Sequence, residues 1–293
     1  MYQYYSAIGF SEYNTRAKIH QLALEVINQP DRVSKTEIND QEYQCVYEKD
    51  YGEAFGILVS QIVDHSGYQE IDYVMPYVRG MNFLYSDHMR FEKASLEESF
   101  QCICDDNSIG ILVIFKVINT IDYTILDNGR KNFGEGINCA TIAGIASSGK
   151  IILPIQRDPY DIKQERENRK HRNHMIEAAK NGDVEAMEHL TIDDFDTYNK
   201  VASLSKKKDV YSIVTSSFMP DTVESDKYSV LGIIKDYQIM KNKKTEEVSY
   251  YISLSCNMID MDVIIAKDKL MGVPAVGRRF KGNIWLMGDV DII

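Results

Sequence analysis

Arg279, Lys281, Asn283 and Trp285 fall at every second position of GVPAVGRRFKGNIWLMGD, the stretch from Gly272 to Asp289. Residues two apart on a β-strand share a face. Two cations, an amide and the chain's only tryptophan would then stand in one row. Charge for phosphates and a flat ring for stacking are what a single-stranded nucleic acid or a nucleotide needs. Arg278 lies on the opposite, mostly apolar face with Val276, Phe280, Ile284 and Leu286. There it would sit at a barrel rim and pair with Asp260 or Asp262. The candidate ligand-binding residues are therefore Arg278, Arg279, Lys281 and Trp285. A structural reading competes with this one. Long aliphatic stems cover aromatic rings, cations stack over them, and Trp285 would then seal a contact between domains.

A second set carries acid–base potential. Asp64, His65, Asp72 and Arg79 could serve an enzyme if they met in a cleft between domains, where pockets tend to lie. His65, however, sits in DHSG, which is turn chemistry. Other motifs fail on their own requirements. GIASSGK (Gly144–Lys150) has the spacing of a phosphate-binding loop, but Ile151 replaces the hydroxyl residue and IILPI reads as a strand where a helix is needed. Ser148-Gly149 is better read as a hairpin turn. His171 and His174 share a helix face, with Glu167 and Glu177 nearby, yet zinc takes three or four protein ligands and a solvated face is the simpler account. Cys102 and Cys104 point to one side of a strand, which suits packing better than redox work. AAKNGDVEAMEHL resembles half an ankyrin repeat, but it occurs once and such repeats need several copies. No catalytic set, cofactor or metal is expected.

The elements that must position these residues are legible in outline. The chain has 293 residues, 44% hydrophobic and 26% charged, with a net charge of −11 and a pI of about 5.1. That acidity opposes wholesale binding to nucleic acid or anionic lipid, although a local basic patch could still act. Nucleic acid is thus an allowed partner that net charge does not favour. The best apolar run, Ile109–Phe115, breaks at Lys116, far short of the about 20 residues that cross a membrane. The start, MYQYYSAIGF, lacks the basic opening of a secretory leader. Five cysteines without zinc-like spacing read as free thiols of a cytoplasmic protein.

Ile19, Leu22, Ala23, Val26 and Ile27 recur at helical spacing after a capping Asn14 and before Pro30. From Glu42 to Ile155 short apolar runs alternate with turns at Tyr51-Gly52, His65-Ser66-Gly67 and Ser147-Ser148-Gly149, favouring antiparallel pairing. Lys163–Lys206 reads as helical, with Gly182 as a stop and with Asp183 and Thr191 as caps. From Tyr211, Val248–Cys256 and Ile259–Ile265 alternate apolar with polar residues. With Tyr228–Tyr237 and Val276–Met287 they make four or five strands, and KDKLMG fits an interrupting turn of helix. The fold class is α+β: an N-terminal antiparallel sheet with a helix (residues 1–160), a helical connector (161–210) and a small C-terminal OB-like β-barrel (211–293).

The stretches SSFMPDTVESDKYSVLGII, LMGVPAVGRRFKGNIWLMG and GIASSGKIILPI resemble a family of bacterial proteins of about this length from Clostridia-type gut bacteria, known as a domain of unknown function. The resemblance runs the full length and implies a bacterial cytoplasmic protein. It implies no activity, cofactor or catalytic residue. The expected function is a non-enzymatic binding or interaction protein with an unknown ligand or protein partner. The alternatives are nucleic-acid or nucleotide binding by the barrel, and an enzyme with an interdomain site.

Overall fold

The computed structural model describes residues 2–86, 89–95, 97–105, 112–129, 138–155, 181–192, 214–222, 225–257 and 259–291, together with residues 171, 174–176, 178, 179 and 211. Two helices open the chain, α1 (Tyr2–Ala7) and α2 (Arg16–Asn28). Thr15, not Asn14, caps α2: its hydroxyl accepts from the Lys18 amide. Leu22, Ala23 and Val26 form the buried stripe that the helical spacing predicts.

β1 (Arg32–Asn39), β2 (Glu42–Asp50), β3 (Phe55–Asp64) and β4 (Gln69–Val78) pair in sequence order as a four-stranded antiparallel sheet. The β3–β4 turn is the DHSG stretch. Asp64 accepts from the Ser66 hydroxyl and the Tyr68 amide, and Gly67 takes a positive φ, a conformation that glycine adopts without strain.

The remaining strands form one larger mixed sheet. They are β5 (Phe83–Tyr85), β6 (Met89–Lys93), β7 (Phe100–Asp105), β8 (Leu112–Val117), β9 (Cys139–Ile152), β10 (Ser217–Pro220), β11 (Lys227–Lys241), β12 (Val248–Cys256), β13 (Ile259–Ala266), β14 (Leu270–Met271) and β15 (Arg279–Val290). A helix, α3 (Thr120–Gly129), follows β8. β11 pairs with β12, β12 with β13, β13 in parallel with β9, β9 antiparallel with β15, and β15 antiparallel with β11. The pairings thus return to the strand where they began. β9, from the first half of the chain, is a member of this circuit.

β9 also corrects the reading of Ser148-Gly149 as a hairpin turn. The strand runs straight through both residues, and Gly149 lies opposite both Leu270 and Gly282. A methyl carbon on Gly149 would stand 2.5 Å from the Phe280 ring. This glycine answers close packing rather than a turn. KDKLMG begins with a single 3-10 turn at Lys267–Lys269, as its composition suggested.

Most of the expected connector lies outside the described residues, including Glu167 and Glu177. Within it, Gly182 has a positive φ and the Asp183 carboxylate accepts from the Glu185 and Ala186 amides, a genuine cap. Thr191 does not start a helix. It lies inside the helical turn and donates to the Met187 carbonyl.

Two cores result. Phe280, Ile284 and Leu286 of β15 join Val230, Ile252, Leu254, Met261 and Val263 in one. Trp285 and Met287 point the other way, into a second core with Tyr4, Tyr5, Leu22, Leu58, Met75 and Ile264. The second core is the seam where α1, α2 and the four-stranded sheet meet the larger sheet.

Candidate functional site

The row of alternating residues on β15 exists, but its members meet different surroundings: Arg279 and Trp285 are buried, Lys281 is half-buried and Asn283 is exposed, and of the four only Trp285 joins the seam core. Trp285 is 7% exposed. Its indole N–H donates to Asp226 at 2.7 Å, and its ring packs against Tyr4 of α1 with 5.3 Å between centroids. Arg279 is 3% exposed. Its Nε and Nη2 donate to the Leu153 carbonyl at 3.0 and 2.8 Å, and its Nη1 donates to the Val214 carbonyl at 2.8 Å. The guanidinium thus ties the exit of β9 and the approach to β10 onto β15. Lys281 donates to the Ser229 hydroxyl at 2.6 Å.

Arg278 meets neither of its expected partners. It donates to the Val273 carbonyl at 2.9 Å, while Asp260 pairs with Lys235 and Asp262 accepts from the Met81 amide and the Ser253 hydroxyl. Val276, expected on the apolar face, precedes the strand and is exposed.

Asp64, His65, Asp72 and Arg79 are not brought together. Val63 faces Gln69 at one end of the β3–β4 hairpin and Phe55 faces Val78 at the other. Asp64 and Arg79 are therefore about 30 Å apart at the rise of an extended strand. The His65 ring engages the Asp40 carbonyl in the turn. Arg79 and Asp72 belong instead to two separate polar clusters, one at each end of the seam.

The first cluster gathers Arg32, Glu48, Asp50, Tyr77, Arg79 and Asp289. Register places Glu48 and Leu58 on one face of the four-stranded sheet, along with Met75. Asp289 follows Trp285 and Met287 on the β15 face that meets it. Arg79 spans the gap: it lies 2.5 Å from Glu48, 3.6 Å from Asp50 and 3.4 Å from Asp289. Arg32 adds 3.0 Å contacts to Glu48 and Asp50, and the Tyr77 hydroxyl donates to Asp50. The Arg79 backbone is fixed too, since its amide donates to the Ala54 carbonyl at 2.7 Å and its carbonyl accepts from the Tyr251 hydroxyl at 2.9 Å. Burial works against the Arg79 charge, but Asp289 and Glu48 outweigh it and hold the guanidinium above its ordinary value. Burial pushes the Asp289 carboxyl up to about 6, with Arg79 pulling the other way.

The second cluster surrounds the hairpin between β6 and β7. Lys116 of β8, almost fully buried, donates to Ser99 at 2.5 Å and to Glu97 at 3.1 Å, over the Tyr73 ring. Asp72 accepts from the Glu98 amide at 2.9 Å and the Ser60 hydroxyl at 3.3 Å. Gln44 donates to Ser60 and to the Glu98 carbonyl. Burial raises the Asp72 carboxyl above its ordinary value. A serine beside a lysine is the pairing of some hydrolases. Here Ser99 is fully buried and Lys116 is shared with Glu97, so the pair ties the hairpin to β8, while Asp72 and Gln44 hold Glu98 of the same hairpin against the four-stranded sheet. Lys116 was visible in the sequence as the residue that breaks an apolar run, and a lysine inside a strand core signals a buried partner. Nothing local signalled that Glu97 and Ser99 would supply it.

His171 and His174 are exposed. Among the described residues, no group of three or more histidine, cysteine or acidic side chains is placed to hold a metal, and no helix is long and apolar enough to cross a membrane.

With fold and clusters in view, the class of the protein follows from its sequence family. Residues 5–288 match the model described as "Domain of unknown function, E. rectale Gene description (DUF3881)". The chain belongs to this family, as the stretches quoted above suggested. No curated protein and no solved structure matches the chain.

Proposed function

We propose that the protein is a non-enzymatic binding or interaction protein whose C-terminal strands build an OB-like barrel completed by β9. The observation that carries this reading is the closed circuit of pairings from β11 through β12, β13, β9 and β15 back to β11. Five strands, one long strand shared by both sides, and a short 3-10 turn between β13 and β15 fit that architecture. OB-like folds present binding surfaces, which is an argument by analogy of fold. In this reading the first part of the chain, residues 1–160, lends one strand to the last part, residues 211–293. The stretch 161–210 connects them.

Of the four residues singled out on β15 and just before it, we assign ligand contact to Arg278 and Lys281, which keep partial exposure. Arg279 and Trp285 serve the fold. Free, buried thiols at all five cysteines support a cytoplasmic location.

A panel of small metabolites and short single-stranded DNA and RNA tests the proposal. Thermal midpoint and compound consumption are followed together. A bound ligand raises the midpoint by mass action. The expected result is a ligand that stabilises the protein unchanged and loses its effect in Arg278→Ala or Lys281→Ala. A compound that is turned over would overthrow the non-enzymatic reading. For the oligonucleotides, Trp285 emission should stay constant, because Tyr4 already covers the ring. Saturable quenching that weakens with salt would restore the nucleic-acid alternative.

A further inference from the structure

The first polar cluster holds two guanidiniums against three carboxylates. Glu48 meets both arginines, at 2.5 and 3.0 Å. Asp50 meets both as well and accepts the Tyr77 hydroxyl. Asp289 arrives from the other sheet and faces Arg79 through a single Nε contact at 3.4 Å. Asp122 of α3 adds a further negative charge nearby. The charged and titratable groups around Asp289 are thus Arg32 of β1, Glu48 and Asp50 of β2, Tyr77 and Arg79 at the end of β4, and Asp122 of α3. The Asp289 side chain is 24% exposed, and a carboxylate in surplus and largely withdrawn from water is disfavoured as an anion.

We propose that the seam between the two sheets is proton-sensitive, with Asp289 as the surplus carboxylate whose protonation tightens the hold of β15 on the four-stranded sheet. The sense is opposite to that of an ordinary salt-bridge latch, which acid opens. The burial-raised value near 6 supports the same direction. Folding binds a proton at Asp289 between about pH 4 and pH 6, so stability contributed by the neutral form is present at low pH and is lost as pH rises through about 6.

The test is urea unfolding of the full chain from pH 4.5 to 8, followed by Trp285 emission, for the natural protein and for Asp289→Asn. The amide is nearly isosteric and permanently neutral. Asp72, in the other polar cluster, titrates in both proteins and cancels in the difference. At pH 8 the variant should be the more stable, by up to about a hundredfold in the folding equilibrium, from the gap between 3.8 and about 6. That advantage should shrink to about sixfold at pH 4.5, since the neutral form's contribution is complete only below the unfolded value of 3.8. A variant that is weaker at pH 8, one whose difference does not change with pH, or one that fails to fold would each overturn the proposal.

Discussion

Replacing Arg279 with methionine separates the two roles this residue could have. Methionine keeps the apolar stem but removes the guanidinium, and with it three hydrogen bonds to the Leu153 and Val214 carbonyls. Hydrogen bonds from a charged donor contribute roughly 1.5–3 kcal/mol each, and a stranded acceptor costs about 1–3 kcal/mol. Leu153 is itself exposed, so water can re-solvate its carbonyl, and the lower end applies to both acceptors. Nε and Nη2 share the Leu153 carbonyl, so two acceptors at about 1.5 kcal/mol each give an expected loss of about 3 kcal/mol. Urea denaturation followed by Trp285 emission measures it, and the midpoint should fall with an unchanged slope. Arg278→Ala, the adjacent and more exposed arginine, should stay within about 0.5 kcal/mol of the natural protein. If Arg279→Met also stays within that margin, the guanidinium is not a clamp, and the reasoning that removed it from the ligand-facing set is refuted.

Tyr4→Ala should uncover the indole. Acrylamide should then quench Trp285 emission strongly where it barely quenches the natural protein, and stability should fall by about 3 kcal/mol for a truncated core aromatic; unchanged quenching would mean that α1 does not cover the ring. The five cysteines, all buried, should react with a thiol reagent only on unfolding. Burial pushes the Cys256 thiol up to about 12 and raises Cys102 as well, so even alkaline buffer should not expose a fast phase at either.

The alternation of Val248–Cys256 and Ile259–Ile265 located β12 and β13 because their two faces meet different chemistry. The same pattern located β15 and its two faces, but it could not say that both are covered. Trp285 and Met287 meet a second core made of residues from the other end of the chain. A period of two reports the face, not what lies against it. Ser148-Gly149 misled for a related reason. Serine–glycine pairs mark turns when local backbone freedom decides the matter, whereas here the Phe280 ring requires a glycine opposite it. The pairing of β13 with β9 is parallel and spans only Ala143 to Ile145 against Asp262 to Ile264. No local signal encodes such a contact. Arg79, singled out for an interdomain site, sits instead in a charged cluster whose carboxylates come from two distant stretches, Glu48 and Asp50 from β2 and Asp289 from β15. Asp64 and His65, close to Asp72 in sequence, lie at the far end of the hairpin.

The membership of β9 in the circuit of pairings has a consequence for synthesis. On the ribosome, β9 emerges before every strand from β10 onward, and its long edge stays open until β13 and β15 follow. Exposed edges of this kind recruit other chains. β15 is made after β9 and β11 and closes both flanks at once by pairing with them. A chain stopped before Arg279 would therefore be left with two sticky flanks rather than one missing element, and the synthesis of β15 is the event that covers them.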